Sequence, residues 1–285
     1  MSSSPLTLPR DVSATMSISV TAPTELEMQI AVARMPGLEL DEKLVVAVNG
    51  DEITPEEIID PHGGRIHRLN VESGVVAVNY TAAVTAPADP VAVAPTDRSM
   101  YLRPSRYAEC DKFFGFAAGQ FDASLPAGEL LDQVTAFVED RLDYIPGASD
   151  PIDGAVDTLL AGAGVCRDYA HLVVALLRAL NIPARLVAVY APGCDPMDFH
   201  AVAEALIEGQ WVVVDATKLS PRQSLVRIAT GRDAADTAFL DNHNGSISLD
   251  NYQVMATVRG ELPIDDGKER ISIRWSHACT DMSHL

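Results

Sequence analysis

The sequence offers a candidate cysteine nucleophile at position 166. Cys166 lies in the run AGAGVCRDYAHL, where a glycine-containing loop gives way to a helical pattern of apolar residues. The unpaired backbone N–H groups of a first helical turn favour a thiolate over a thiol, and they can also bind an oxyanion. The small residues at 161–164 would let a substrate backbone come close to this thiol.

A nucleophilic thiol needs a base, and the chain contains seven histidines. His171 follows Cys166 by five residues, and five helical steps turn a side chain roughly 140° away from the first one. We therefore interpret His171 as a structural histidine, or as one that supports the catalytic residues without contacting the substrate. His200 follows the loop APGCDPMDF and opens the strand HAVAEALI, where a side chain can face a cleft. His200 is the better candidate for the base.

The partner of His200 can be predicted by counting strand register. If Glu208–Gly209 is a two-residue hairpin loop, His200 lies opposite Thr217. His200 and Asp215 are then diagonal neighbours on one face of the sheet. In a cysteine–histidine–aspartate triad, the carboxylate orients the imidazole while the other ring nitrogen faces the thiol.

Two other interpretations of these residues stay open. A core strand can carry a histidine and an aspartate for structural reasons alone. Cysteine, histidine and aspartate are also competent zinc ligands, so Cys166, His200 and Asp215 could form a metal site. Nucleophilic catalysis requires fewer assumptions, and we therefore expect no metal. The GAG run at 162–164 is too short for a dinucleotide-binding loop, so we expect no cofactor.

The elements that must position these residues follow from periodicity. Between about Met16 and Val84 apolar residues alternate with polar ones, and Asn49–Gly50 and His62–Gly64 are turn signals, which together predict a small antiparallel β-sandwich. A proline-rich linker or strap follows. Helical periodicity then appears after Pro126 and again from about Val165 to Leu180.

Period-two runs return after Pro183 in ARLVAVY, AVAEALI and QWVVVD, and they predict an α+β domain in which helices and antiparallel strands are segregated. The late runs SISL and YQVMATV would add further strands to this domain. The tail from Ile264 gives no pattern, and we expect it to fray.

The net charge and the apolar runs of the chain limit the classes of partner that it can bind. The formal net charge is −19, from 40 acidic and 21 basic residues, and this field repels phosphate backbones and anionic lipid heads. No apolar run reaches the roughly 18 residues of a membrane helix, and the first residues lack a signal-peptide pattern. We expect a cytoplasmic protein that binds neither nucleic acid nor membrane.

The four cysteines contain no CxxC pair, which argues against a zinc ribbon, a thioredoxin motif or a disulfide framework. An isolated cysteine is usually a small buried hydrophobic residue, and we interpret Cys110, Cys194 and Cys279 in this way. Asp168 stands on the first turn of the helix that begins near Cys166, where a carboxylate complements the helix dipole. We interpret Asp168 as a helix-start residue.

The segments GVCRDYAHL and DFHAVAEALIEGQWVVVDAT resemble the core of transglutaminase-like proteins, in which a cysteine starts a helix, a histidine opens a strand and an aspartate ends the next strand. The resemblance extends to LRPSRY, to LDYIPG and to the β-rich first third, and it covers about residues 15–260. It implies a papain-like acyl-enzyme mechanism with Cys166 as nucleophile, His200 as base and then acid, and Asp215 as the group that orients the imidazole.

The change from strand to helical periodicity and the proline-rich segment between them divide the chain. We expect an N-terminal β domain over 1–86, a linker over 87–104, a papain-like or transglutaminase-like catalytic domain over 105–263 and a tail over 264–285. In this superfamily one triad serves protein crosslinking, peptide hydrolysis and amide hydrolysis. A cysteine hydrolase acting on a peptide, protein or other amide is our first expectation. A transglutaminase and a non-catalytic interaction module are the alternatives, and the oligomeric state is open.

The sequence departs from the family pattern near the triad. Val202 stands where many relatives have an aromatic residue, and Arg167 replaces a commoner glutamine. Eukaryotic transglutaminases carry an oxyanion-binding tryptophan upstream of the cysteine, whereas Trp211 and Trp275 lie downstream of it here. Tyr144 and Gln120 are therefore weak candidates for a second oxyanion donor, beside the backbone N–H of Cys166.

Overall fold

The structure is a computed structural model that describes residues 8–86 and 88–273. Its strands are β1 (Arg10–Ala22), β2 (Thr24–Met28), β3 (Glu39–Val48), β4 (Asp51–Ile53), β5 (Glu56–Ile59), β6 (Arg65–Val71), β7 (Gly74–Ala86), β8 (Asp143–Tyr144), β9 (Ala163–Gly164), β10 (Ala184–Tyr190), β11 (His200–Ile207), β12 (Gln210–Val214), β13 (Val226–Gly231), β14 (Leu240–His243) and β15 (Ser246–Val258). Its α-helices are α1 (Asp97–Met100), α2 (Phe114–Gln120), α3 (Ala127–Arg141), α4 (Ala155–Ala161) and α5 (Cys166–Ala179), and Cys110–Lys112 and Arg222–Ser224 are 3₁₀ turns. Among the helices described, none combines the length and apolar character that crossing a bilayer requires.

Two antiparallel sheets form an N-terminal sandwich. One contains β15, β1, β7, β3 and β4 in that order, and the other contains β14, β2, β6 and β5. Along β1, buried residues alternate with more exposed ones, as expected for a strand with one face on a core. The turn at Asn49–Gly50 has positive φ at both residues and joins β3 to β4. The predicted N-terminal antiparallel sandwich is confirmed.

The late strands do not join the sheet that was expected for them. The runs SISL and YQVMATV form the single strand β15, which pairs with β1 from Arg10↔Val258 to Ala22↔Ser246. β14 likewise pairs with β2. The expectation that these runs extend the α+β domain was therefore wrong, because β1 and β2 offer edges at which the returning chain completes both sandwich sheets.

The second half of the chain forms an α+β core. Its sheet has the order β12-β11-β10-β13, and α5 packs against β11 and β10 through an apolar cluster that also includes α3. The two helices predicted after Pro126 and Val165 are α3 and α5, and the three period-two runs are β10, β11 and β12. The predicted α+β class is confirmed, whereas the short helices α2 and α4 were missed because seven residues show little periodicity.

The sandwich and the α+β core share buried contacts. The hydroxyl of Tyr190, at the end of β10, donates a hydrogen bond of 2.7 Å to the carbonyl of Ile30. The backbone N–H of Ala33 donates to the carbonyl of Arg227 at 2.9 Å. Tyr190 belongs to the apolar cluster of the sandwich, together with Val226 and Ile228 of β13. The two halves therefore pack against each other through the apolar cluster of the sandwich.

The proline-rich segment before the α+β core packs as a strap. Asp97 is buried at the start of α1, and its carboxylate accepts hydrogen bonds from the backbone N–H of Ala94 at 2.9 Å and from the Trp211 indole at 3.4 Å. The ring of Tyr101 packs edge-on against the same indole. Both side chains anchor the segment to β12. The linker boundaries at 87 and 104 and the other predicted domain limits stay predictions.

The segment 264–273 does not fray as expected. The N–H of Val213, on the outer edge of β12, donates to the carbonyl of Ile271 at 2.7 Å, and Ile271 and Ile273 are buried. The Arg222 guanidinium also binds the carboxylate of Asp265 at 2.8 Å. An edge strand with unpaired N–H groups attracts such a segment, and this long-range demand is invisible in the tail's own sequence. The remainder of the predicted tail, including Cys279, lies outside the described residues.

We expect the β11–β12 turn to depend on glycine at position 209. Gly209 has a φ of +77°, and a Cβ there would meet nothing within 4 Å, so Gly209→Ala introduces backbone strain without a clash. Gly209→Ala should lower the free energy of unfolding by about 1 kcal/mol. The control is Gly115→Ala in α2, where a Cβ also meets nothing and the helix should gain up to about 1 kcal/mol. Urea unfolding measures both, and equal effects of the two substitutions would contradict this expectation.

Candidate active site

Cys166 is the first residue of α5 and is partly exposed. The helix begins there because Asp168 closes its first turn. One carboxylate oxygen of Asp168 accepts the backbone N–H of Val165 at 2.8 Å and the hydroxyl of Ser149 at 2.6 Å. The interpretation of Asp168 as a helix-start residue is confirmed. Its side chain also explains Gly164, because a Cβ at position 164 would lie 2.7 Å from the Cβ of Asp168.

His200 and Asp215 meet through the β11–β12 hairpin. Positive φ at both Glu208 and Gly209 gives the tight two-residue turn that was predicted, and the ladder runs from Ile207↔Gln210 to Ala203↔Val214. Beyond that ladder, Nε2 of His200 lies 2.8 Å from Oδ2 of Asp215, and both side chains are buried.

The second oxygen of Asp215 is also occupied. Oδ1 accepts the backbone N–H of Thr217 at 3.0 Å and the Thr217 hydroxyl at 2.6 Å. The carboxylate is therefore held on both sides, and only Oδ2 faces the imidazole. Since Nε2 of His200 is engaged by Asp215, Nδ1 is the ring nitrogen left for the thiol.

The electrostatics couple Cys166 to this pair. Burial acts to lower the pKa of His200, but the charge and hydrogen bond of Asp215 and a hydrogen bond with the Cys166 thiol outweigh it, so the pKa is raised well above its ordinary value. Burial acts to raise the pKa of Asp215, but His200 and Thr217 outweigh it and hold that pKa below its ordinary value. The site thus favours an imidazolium between a carboxylate and a thiol.

Comparisons with known proteins agree with this geometry. A family model described as the transglutaminase-like superfamily matches residues 116–216. The crystal structure of a protein from Cytophaga hutchinsonii, described as a putative cysteine protease, has 31% sequence identity and a TM-score of 0.81, with 94% of this chain and 96% of that chain covered. This chain belongs to the transglutaminase-like superfamily.

Curated relatives of this transglutaminase-like chain come from mycobacteria. An uncharacterized protein of Mycobacterium leprae is 32% identical over 106 residues, which cover 34% of this chain and 38% of that protein. An uncharacterized protein of Mycobacterium tuberculosis is 31% identical over 137 residues, which cover 42% of this chain and 43% of that protein. The chain therefore spans about two fifths of the length of the curated relatives it matches.

In the transglutaminase-like core, His171 makes its contacts away from Cys166, His200 and Asp215, as its helical position predicted. Its Nε2 accepts the backbone N–H of Ala234 at 3.1 Å, and its ring stacks on Tyr107 with the centroids 5.4 Å apart. The imidazole is fully buried, and burial is the main cause that lowers its pKa from 6.5 to about 4. His171 is therefore a neutral histidine that joins α5 to the chain after β13.

The two candidate oxyanion donors are placed very differently. Tyr144 pairs with Gly164, two residues before Cys166, in the short parallel ladder of β8 and β9. Burial and then the Cys166 thiol raise the pKa of Tyr144, while the Cys166 backbone N–H acts in the opposite direction. Gln120 ends α2 and is exposed, and no hydrogen bond links its side chain to the site among the described residues. Tyr144 is therefore electrostatically coupled to Cys166, and it stays a candidate donor, whereas no such coupling or hydrogen bond is found for Gln120 among the described residues.

Sequence reasoning missed several residues that surround the thiol. Cys194 is buried near Cys166 and His200, and burial is the main cause that raises its pKa, with the Cys166 thiol acting in the same direction and the charge of His200 in the opposite one. Cys194 and Cys110 are buried free thiols, in agreement with their interpretation as small hydrophobic residues. Tyr252 also borders the site, although it belongs to β15 of the sandwich. No local sequence signal could place Tyr252 there, because β15 reaches the site by pairing with β1.

Within the described ranges, the metal-type cluster of acidic and histidine side chains lies elsewhere, on the sandwich. Ligand atoms of Glu25, Glu27 and His243 lie within 4.8 Å of one another. Arg68 binds Glu27 at 2.6 Å and thereby supplies a positive charge to the same cluster. We interpret this cluster as a surface ion-pair network on β2 and β14.

The buried His171 should make the folded state sensitive to acid. Its pKa is lowered on folding, so the unfolded chain binds a proton between pH 6.5 and about 4 that the folded chain does not bind. This contribution to stability is complete above pH 6.5 and is lost as the pH falls towards 4, at a total of about 3 kcal/mol. In His171→Gln, the amide oxygen can still accept the N–H of Ala234, but the titration disappears.

Urea unfolding of both proteins at about pH 7 and pH 4.5 measures this difference. We expect the parent protein to lose about 2 kcal/mol more than His171→Gln between the two conditions, because the titration of His171 is not complete at pH 4.5. Equal losses in the parent protein and His171→Gln would contradict the assignment of a neutral buried imidazole.

Proposed function

We propose that this chain is a cysteine hydrolase that cleaves a peptide or another amide bond through a thioester acyl-enzyme. The observation that carries the proposal is the 2.8 Å contact between His200 and Asp215 at the N-terminal end of the helix that Cys166 begins. The membership of the transglutaminase-like superfamily and the likeness to the Cytophaga hutchinsonii protein support a cysteine-based chemistry.

The first half-reaction follows from these positions. The Cys166 thiolate attacks the amide carbon, an S–C bond forms and the carbonyl oxygen becomes an oxyanion. The backbone N–H of Cys166 can stabilise this oxyanion, and the hydroxyl of Tyr144 is the neighbouring side-chain donor. Nδ1 of the His200 imidazolium then gives its proton to the leaving nitrogen, the C–N bond breaks and a thioester remains.

The second half-reaction returns the enzyme to its starting state. Neutral His200 takes a proton from a water molecule, the hydroxide oxygen bonds to the thioester carbon and Cys166 leaves as a thiolate. The carboxylic acid is released, and the imidazolium–thiolate pair is restored. Asp215 keeps its charge throughout, because Thr217 and His200 hold its carboxylate.

A reactivity map of the cysteines tests the proposal. At about pH 6.5 a free thiol is only about 1% ionised, whereas a cysteine paired with an imidazolium reacts as the thiolate. We expect iodoacetamide to alkylate Cys166 at least about 100-fold faster than the buried Cys110 and Cys194 under these conditions. Mass spectrometry of peptides after timed quenching measures each rate. Equal, slow labelling of all cysteines would contradict the proposed enzymatic function.

Two buried histidines provide a matched pair of variants for this measurement. His200→Gln should remove the excess reactivity of Cys166 at about pH 6.5, because the imidazolium is lost. His171→Gln should retain it, because His171 contacts Tyr107 and Ala234 and not the thiol. Metal analysis of the same samples tests the zinc alternative, and we expect no stoichiometric zinc. Incubation of a glutamine peptide with a fluorescent primary amine separates hydrolysis from crosslinking, and we expect hydrolysis without incorporation of the amine.

A further inference from the structure

Three aromatic rings form a surface beside the nucleophile, which we name the aromatic shelf and define as Phe199, Phe239 and Tyr252. The rings of Phe199 and Phe239 stack with centroids 4.9 Å apart, and those of Phe239 and Tyr252 with centroids 5.9 Å apart. All three rings are partly exposed, and Tyr252 is 40% exposed. Substrate can therefore reach this surface.

The shelf is adjacent to the reacting sulfur. Sγ of Cys166 lies 3.9 Å from the carbonyl oxygen of Phe199, the residue that immediately precedes His200. Tyr252 comes from the sandwich, and its ring is nearly parallel to that of Phe199, with an angle of 5° between the planes. The shelf thus connects the residue that contacts the Cys166 sulfur, in the α+β core, to β15 of the sandwich.

A carboxylate lies at the edge of the shelf. Oδ1 of Asp198 accepts the backbone N–H of Phe199 at 2.7 Å, and Oδ2 accepts the hydroxyl of Tyr252 at 3.0 Å. Both donors are neutral, and no arginine, lysine or histidine of the described ranges forms an ion pair with Asp198. Each carboxylate oxygen has two lone pairs, so this group can accept further hydrogen bonds while keeping its negative charge.

Aromatic rings beside a carboxylate that can accept further hydrogen bonds are complementary to a cationic side chain. A lysine ammonium or an arginine guanidinium can contact the exposed ring of Tyr252 and form charge-assisted hydrogen bonds with the Asp198 carboxylate. The formal charge of −19 on the whole chain also favours the approach of cationic chains. An apolar or acidic side chain would offer no donor to the Asp198 carboxylate.

We propose that Asp198 and the aromatic shelf form a subsite for a lysine or arginine side chain of the substrate, next to the bond that Cys166 attacks. The inference rests on the proposed function, because it deepens the substrate class of the same site. Tyr252 acts here as a positioning residue, since its hydroxyl orients Oδ2 of Asp198 while its ring contributes to the shelf.

Peptidyl acyloxymethyl ketones test the subsite on the intact chain. In this reaction the Cys166 sulfur bonds to the methylene carbon and a carboxylate leaves, so the rate reports recognition without a known substrate. Three probes differ only in the residue beside the ketone, which is lysine, norleucine or glutamate. We expect Cys166 to react about tenfold faster with the lysine probe than with the norleucine probe, and slowest with the glutamate probe.

The ratio of the lysine rate to the norleucine rate is the readout. In Asp198→Asn, the amide oxygen can still accept the N–H of Phe199, and the ratio should fall to about one, because the charge is lost. A variant that folds poorly lowers both rates and leaves their ratio unchanged, so a collapsed ratio reports the charge. The control is Asp250→Asn on the same strand as Tyr252, where the carboxylate binds Ser19. Its ratio should stay near tenfold.

Equal rates for the lysine and norleucine probes in the parent protein would overturn the subsite. A lysine preference that survives Asp198→Asn would overturn it as well. Selective labelling of Cys166 by iodoacetamide without reaction of any ketone would count against the subsite while the proposed function stands. Failure of iodoacetamide to select Cys166 would instead reject the proposed function itself.

Discussion

The candidate active site depends on one hydrogen bond, between Nε2 of His200 and Oδ2 of Asp215. This bond can form because the two-residue turn at Glu208–Gly209 sets the register of β11 and β12. One residue more or less in that turn would move Asp215 to the other face of the sheet. Thr217 holds the second carboxylate oxygen, so the imidazole meets an acceptor that cannot rotate away. The orientation of Nδ1 towards the thiol follows from this arrangement.

A separate set of contacts holds Cys166, the proposed nucleophile, in place. Asp168 fixes the first turn of α5 by accepting the N–H of Val165, and Gly164 is small because the Asp168 side chain occupies the adjacent space. The helix start and the β11–β12 hairpin are then brought together by the apolar cluster between α5 and β11. The sandwich adds a third part, because β15 carries Tyr252 to the edge of the site and Tyr190 joins the two halves.

Local chemistry explains which features could be predicted from the sequence. Three predicted features depend on residues that are close in the sequence: the Glu208–Gly209 turn, the helix start at Cys166 and the contact of His200 with Asp215. Over such short distances, apolar periodicity and the preferences of turn residues determine the local structure. The same local geometry placed His171 away from the thiol.

Long-range pairing explains what the sequence could not show. β15 pairs with β1 across more than two hundred residues, and no local pattern distinguishes that edge from an edge of the α+β sheet. The segment 264–273 has no periodicity of its own. It is held in place by the hydrogen bond that the edge N–H of Val213, on β12, donates to the carbonyl of Ile271. The aromatic shelf combines residues before β11, before β14 and within β15, so it becomes visible only when the sheets are assembled.

Acyl transfer to Cys166 can be measured most directly with p-nitrophenyl acetate and rapid acid quenching. Mass spectrometry of the quenched protein should find one acetyl group per chain, on Cys166, formed in a burst of p-nitrophenol release. Asp215→Asn should slow the burst, because the imidazole loses its fixed orientation. An acetyl group on another residue, or a burst that persists in Cys166→Ala, would contradict a thioester mechanism at this site.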